Sequence, residues 1–137
     1  MRRFTFCAGH RLVGHRLVGH EGKCQNLCGH NYTLEAYLTG QEQDEIGRIL
    51  DFKQLKLRMN GWIDDNWDHT FILWEKDENG LAVIRSSAPH RIYELKTNPT
   101  AENCGGAFSR GYLSRNSRGN RRARLQGPPL GKRRDVR

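Results

Sequence analysis

Between Asn31 and Gly40 the chain alternates Tyr32, Leu34, Ala36 and Leu38 with Thr33, Glu35, Tyr37 and Thr39. A period of two marks a β-strand with one buried face, and it assigns a direction to the residues beside it. Cys28 and His30 continue the even-numbered face at the strand's entrance, so both can grip one ion from the same side. Upstream, Phe4, Phe6, Ala8 and His10 share one face of a second predicted strand, with His10 at its exit. Cys24 lies four residues before Cys28 in a Gly- and Asn-containing loop, so the strand does not set its direction. Thiolate and imidazole are the donors of tetrahedral zinc sites, and three protein ligands with the fourth position open is the catalytic form. The paired C-x2-C and H-x3-H elements of a zinc finger are absent.

A perfect repeat adjoins this cluster: Arg11-Leu12-Val13-Gly14-His15 recurs as Arg16-Leu17-Val18-Gly19-His20. Five residues match neither the strand nor the helix period, and the unit is too short for a solenoid. It reads as a small duplication in a loop, where insertions are tolerated. The repeat leaves His10, counted forward from the strand, and His15, counted back from Cys24, both open as a donor. His10 is preferred because it continues the Phe4-Phe6-Ala8 face.

Downstream, Asp51 has the position of an N-cap, with Gln54 completing a capping-box pattern. Phe52, Leu55, Met59, Trp62 and Ile63 follow at helical spacing. An Asp68-His69 pair then precedes the apolar run Thr70 to Leu73. Asn98 to Asn103 predicts another helix start with Thr100 capping, but Cys104-Gly105-Gly106 follows, and Gly is poor in a helix interior.

Charge divides the chain. Of 23 Lys+Arg and 15 Asp+Glu among 137 residues, ten bases and one acid lie from Cys104 onward, so the body is near neutral and the basic character is C-terminal. The length allows one domain at most. No run of 18 apolar residues exists to span a membrane, and Met1-Arg2-Arg3-Phe4 does not begin a secretory signal. Four cysteines, two of them in the proposed site, do not make a disulfide framework, and the natural setting is a reducing cytoplasm.

Five ordered motifs now carry a resemblance: Phe6 to Leu12 (F-x-A-x-H-R-L), Cys24 to Tyr32, Leu50 to Leu55 (D-F-x-x-L), Asp68-His69, and Asn98 to Glu102 (N-P-T-x-E). Through them, residues 2–103 resemble the 6-pyruvoyl-tetrahydropterin and 6-carboxy-tetrahydropterin synthase family. The resemblance implies an α+β tunnelling fold, with antiparallel sheet, two helices on one face, and assembly into a barrel-like homo-oligomer with sites between subunits. It also implies Zn2+ held by His10, Cys28 and His30. Cys24 would be the catalytic thiol, Asp68 and His69 the proton-relay pair, and Thr100 and Glu102 part of the segment shaping the pterin pocket. The implied substrate is 7,8-dihydroneopterin triphosphate. The 6-carboxy product, belonging to queuosine biosynthesis, is favoured over the 6-pyruvoyl product because the Cys24-to-Cys28 segment is compact.

Two departures stand out. The family's C-x-x-x-H-G-H has Cys28 in place of its first His; zinc accepts thiolate, but the added negative charge weakens it as a Lewis acid. After Asn103 the family finishes a helix and adds two strands, the last carrying a Glu-Thr that anchors the pterin. Here residues 104–137 hold nine apolar residues and no Glu. The expectation is therefore a synthase-like domain over 1–103, missing C-terminal strands, and a disordered basic tail over 104–137. The alternative function is a non-catalytic zinc-holding remnant whose Arg-rich tail contacts nucleic-acid phosphates, with only Phe108 and Tyr112 able to stack on bases.

Overall fold

Strands β1 (Arg2–His10) and β2 (Cys28–Leu38) pair antiparallel, with Phe4 opposite Leu34, Phe6 opposite Tyr32, Ala8 opposite His30 and His10 opposite Cys28. Directly opposed residues share a face, so the two even-numbered faces merge into one apolar surface. Phe4, Phe6, Ala8, Leu34 and Ala36 are all buried there. The computed structural model describes residues 1–14, 25–38, 43–116 and 123–125.

Helix α1 (Phe52–Asn66) covers this surface. Asp51 caps it, its carboxylate accepting from the Lys53 and Gln54 amides. Leu55, Met59, Trp62 and Ile63 are buried as the spacing predicts. Phe52 is the exception: it is 66% exposed, at the rim of a groove it shares with Met1, Ile49 and Leu50.

The chain then adds β3 (Thr70–Trp74), α2 (Glu78–Ser86) and β4 (Ile92–Leu95). Strand β3 runs parallel to both β1 and β4. The sheet is thus mixed, not antiparallel, with order β4-β3-β1-β2-β5. The physical reason is connectivity: α1 and α2 each carry the chain across before the next strand, and parallel neighbours require such crossovers. Residues alternate along β3 to serve both faces. Ile72 joins the main core, while Leu73 and the half-buried Phe71 pack with Leu81 and Ile84 of α2 on the opposite face. Gly9 permits this, since a Cβ there would collide with the Phe71 ring.

The largest difference from expectation is at the C-terminal end. Helix α3 spans Ala101–Asn116, straight through Gly105 and Gly106. Cys104, Ala107, Phe108 and Tyr112 are buried in the main core, with Phe108 at 0% exposure. Gly costs a helix about 1 kcal/mol per residue, and full burial of one Phe returns about 1.5–3 kcal/mol, so the apolar stripe outweighs the glycines. Gly111 contributes by its smallness, because a Cβ there would stand 2.8 Å from the Trp62 ring. The folded unit therefore does not end at Asn103. A further strand, β5 (Ala123–Leu125), pairs antiparallel with β2 from Ala36 to Leu38, so the sheet has a C-terminal strand after all. Residues 117–122 and 126–137 of the expected tail lie outside the described residues. The two helices expected on one face are α1 and α3; α2 on the other face is an addition. No described helix is long and apolar enough to cross a membrane.

Asp77 ties β1 to α2. It is 2% exposed, caps α2 by accepting from the Gly80 amide at 3.0 Å, and receives the Arg11 guanidinium at 2.7 Å. Breaking a buried pair by removing one partner costs about 3–5 kcal/mol, less where the remaining charge can rehydrate. The Arg11 side chain is 23% exposed, so Asp77→Ala is expected to lower unfolding free energy by about 2 kcal/mol, measured by urea denaturation. No change would show that the pair contributes nothing net.

Candidate metal centre

The three residues expected to hold a metal converge because of strand register. His10 lies opposite Cys28, and His30 lies two residues further along β2, on the same face. Their donor atoms all fall within 4.8 Å of one another. The Cys28 Sγ is 3.4 Å from His30 Nε2, and the His10 and His30 rings meet edge to face at 4.9 Å between centroids. Tyr32 forms a wall, stacked on Phe6 at 5.2 Å and edge-on to both imidazoles. Burial grades outward: His10 is buried, Cys28 half-buried and His30 exposed, leaving the triad open to solvent on one side.

His10 is set up for metal binding. Its Nδ1 lies 3.0 Å from the Pro99 carbonyl, which can only accept, so Nδ1 carries the proton and Nε2 the lone pair. That Nε2 is buried and has no hydrogen-bond partner. A buried polar atom left unpaired costs roughly 1–3 kcal/mol, and a cation held jointly with Cys28 and His30 would satisfy it. Burial pushes the His10 pKa below its ordinary value; the hydrogen bond to Pro99 opposes this and nearby His30 adds to it. The ring is thereby kept in the neutral, ligating form. Two imidazoles and a thiol are a donor set that zinc accepts, so the residues fit the group. His15, the other candidate, and Cys24, the expected catalytic thiol, lie outside the described residues.

Asp68 and His69 form the second cluster. His69 Nδ1 donates to Asp68 Oδ2 at 2.8 Å, while Asp68 Oδ1 accepts from the Cys7 amide at 2.9 Å. The His69 amide in turn bonds the Cys7 carbonyl at 2.7 Å. The pair thus clamps one residue of β1 from both sides. His69 adopts φ 53°, a left-handed conformation uncommon outside glycine, which turns the chain from α1 into β3. Chiefly the Cys7 amide, and then His69, hold the Asp68 carboxyl below its usual range. Asp68 is thus the carboxylate that accepts from His69 Nδ1 and fixes its tautomer. The His69 side chain is 77% exposed and lines a shallow cleft with Cys7, Asn31 and Phe71. Cys7 and Asn31 lie on the odd-numbered face of β1 and β2 and Phe71 on β3, and His30 of the triad lines the same cleft.

Of the expected pocket residues, Thr100 is half-buried and its hydroxyl caps α3 by accepting from the Asn103 amide at 3.2 Å. Glu102 is exposed in the first turn of α3. Sequence reasoning missed Pro99, whose carbonyl meets His10 from 89 residues away, and Asn98, whose side chain meets the Val13 backbone from 85 residues away. Their only sequence signal was membership of the N-P-T-x-E segment.

Comparison with known proteins agrees with this architecture. The 6-carboxy-5,6,7,8-tetrahydropterin synthase of Rickettsia bellii is 43% identical over 102 residues, covering 74% of this chain and 70% of that protein. Among solved structures, an uncharacterised Wolinella succinogenes protein superimposes with a TM-score of 0.69 at 21% identity, covering 83% of this chain and 82% of its own, a likeness of fold alone. The Caenorhabditis elegans 6-pyruvoyl tetrahydropterin synthase superimposes at 0.53 with 28% identity, covering 82% and 74%. The family model described as 6-pyruvoyl tetrahydropterin synthase matches residues 1–123. That match runs past Asn103 and through α3, so the family pattern extends over this Gly- and Arg-containing helix. On sequence and fold together, this chain belongs to the 6-pyruvoyl tetrahydropterin synthase family.

Proposed function

We propose that the chain is a zinc-dependent lyase that converts 7,8-dihydroneopterin triphosphate to 6-carboxy-5,6,7,8-tetrahydropterin, on the route to queuosine, as a cytoplasmic homo-oligomer. The observation that carries the reading is the convergence of His10, Cys28 and His30 around an unpaired, buried Nε2, in a chain 43% identical to a relative named for that activity. The relative's name favours the 6-carboxy over the 6-pyruvoyl product.

In this reading His10, Cys28 and His30 hold the zinc, which when bound supplies Lewis-acid polarisation of substrate hydroxyls. The remaining work falls to the chain's own residues. His69, with Nδ1 tied to Asp68, takes and returns a proton at Nε2. Cys24 is the proposed second base. Glu102 offers an exposed carboxylate to the pterin, at the end of the segment that Thr100 anchors to α3.

Zinc-loaded protein incubated with 7,8-dihydroneopterin triphosphate, with products resolved by mass, tests the proposal. The 6-carboxy product is expected. A 6-pyruvoyl product would move the chain to the other branch of the family, and zinc retention without turnover would favour the non-catalytic remnant. Replacing His69 by Ala is expected to lower turnover about 10²–10⁴-fold with zinc content unchanged. A smaller effect would remove His69 from the proton relay.

A further inference from the structure

His10 presents a lone pair at Nε2 only while Nδ1 keeps its proton, and the Pro99 carbonyl holds that proton. The hydrogen bonds on either side of this carbonyl converge on Asn98. The Asn98 side chain makes a reciprocal pair with the backbone of Val13, accepting from its amide at 2.9 Å and donating to its carbonyl at 2.8 Å. The backbone carbonyl of Asn98 accepts from the Thr100 amide at 2.8 Å and from Asn103 Nδ2 at 2.9 Å. One residue thus joins the segment leaving β1, three positions beyond His10, to the start of α3.

The chemistry of the link is specific. A short side chain that donates and accepts together imitates a strand rung where no backbone partner exists; Asp can only accept, and Ala can do neither. Pro99, almost fully buried, lies between Asn98 and the capping Thr100, so its carbonyl has little freedom once both neighbours are anchored. On the other side, Arg11 is held by the buried Asp77. His10 therefore sits in a frame closed from two directions.

We propose that Asn98 is a positioning residue for the metal centre: through the Val13 clamp it holds the Pro99 carbonyl against His10 Nδ1 and so keeps Nε2 available to a divalent cation. Asn98 is not itself a ligand. The inference rests on the metal reading above, but its first readout needs no metal.

The test uses full-length Asn98→Ala and Asn98→Asp, with Leu81→Ala, in the separate core under α2, as a control for loss of stability alone. In the apo protein, long-range ¹H–¹⁵N imidazole spectra are expected to show His10 as a single Nδ1–H tautomer, and as a mixture in Asn98→Ala. Zinc affinity, measured by competition with a chromophoric chelator, is expected to fall about 10–100-fold in Asn98→Ala, as for other residues that orient a ligand. Asn98→Asp keeps the acceptor for the Val13 amide and should fall between the two. Should Asn98→Ala fail to fold, the Asp variant carries both readouts. An unchanged tautomer with unchanged affinity would overturn the proposal, as would an equal affinity loss in Leu81→Ala. If the wild-type chain binds no zinc, the metal reading fails while the tautomer spectra still decide the role of Asn98.

Discussion

Phe108→Ala is expected to lower the free energy of unfolding by about 3–5 kcal/mol, the largest stability loss of any single apolar truncation considered. The side chain is fully buried, edge-on to Trp62 at 4.8 Å, tilted against Trp67 at 5.7 Å and stacked on Tyr112 at 5.7 Å. Removing it opens a cavity where α1, α3 and the sheet meet, and three neighbouring aromatics lose a packing partner. Small domains hold only about 5–15 kcal/mol in total, so the variant would be marginal at ambient temperature. Urea denaturation followed by tryptophan fluorescence provides the measurement. A loss below about 0.5 kcal/mol, the size of an ordinary surface effect, would mean that α3 is not seated in the core. Truncation after Asn103 removes Phe108, Cys104, Ala107 and Tyr112 together, and is expected to leave no cooperative unfolding transition.

Cys28→Ala is expected to abolish zinc retention. Wild-type protein should carry about one zinc per chain on three side-chain ligands, by elemental analysis after dialysis, and two imidazoles alone should not withstand a competing chelator. Cys28→His is the informative companion. It replaces thiolate by the neutral imidazole that the family pattern has at this position, so zinc should be kept. Cys24→Ala should leave stoichiometry intact. Equal loss in the Cys24 and Cys28 variants would make Cys24 a ligand and remove it from the role of base. Retention in Cys28→Ala would show that the two histidines recruit another donor.

Much of the candidate site could be read from the chain. Two alternating runs were enough to put His10, Cys28 and His30 on even-numbered faces, because a period of two leaves a side chain only two directions. What periodicity could not supply was the register that sets His10 opposite Cys28, since that depends on how two separated strands slide against each other. The choice of His10 over His15 followed from the same face argument, and the described triad contains His10.

Other features were present in the sequence but outweighed in the reading. Cys104, Ala107, Phe108 and Tyr112 recur at intervals of three and four, a helical stripe, yet the surrounding Gly and Arg suggested a tail. Composition averages over a window, whereas a helix needs only one face to bury. The match between that stripe and the groove beside Trp62 exists only in three dimensions, and so does the value of Gly111 as a point of close approach. The Asp68-His69 pair was visible as two letters, while its clamp on Cys7 was not.

Local alternation, capping at Asp51 and donor chemistry are short-range properties, and the sequence alone determined them. The parallel placement of β3, the burial of α3 and the hydrogen bond from His10 to the Pro99 carbonyl were decided by the tertiary structure, because each joins residues far apart in the chain. Their energies depend on which surfaces meet, and no local pattern encodes that meeting.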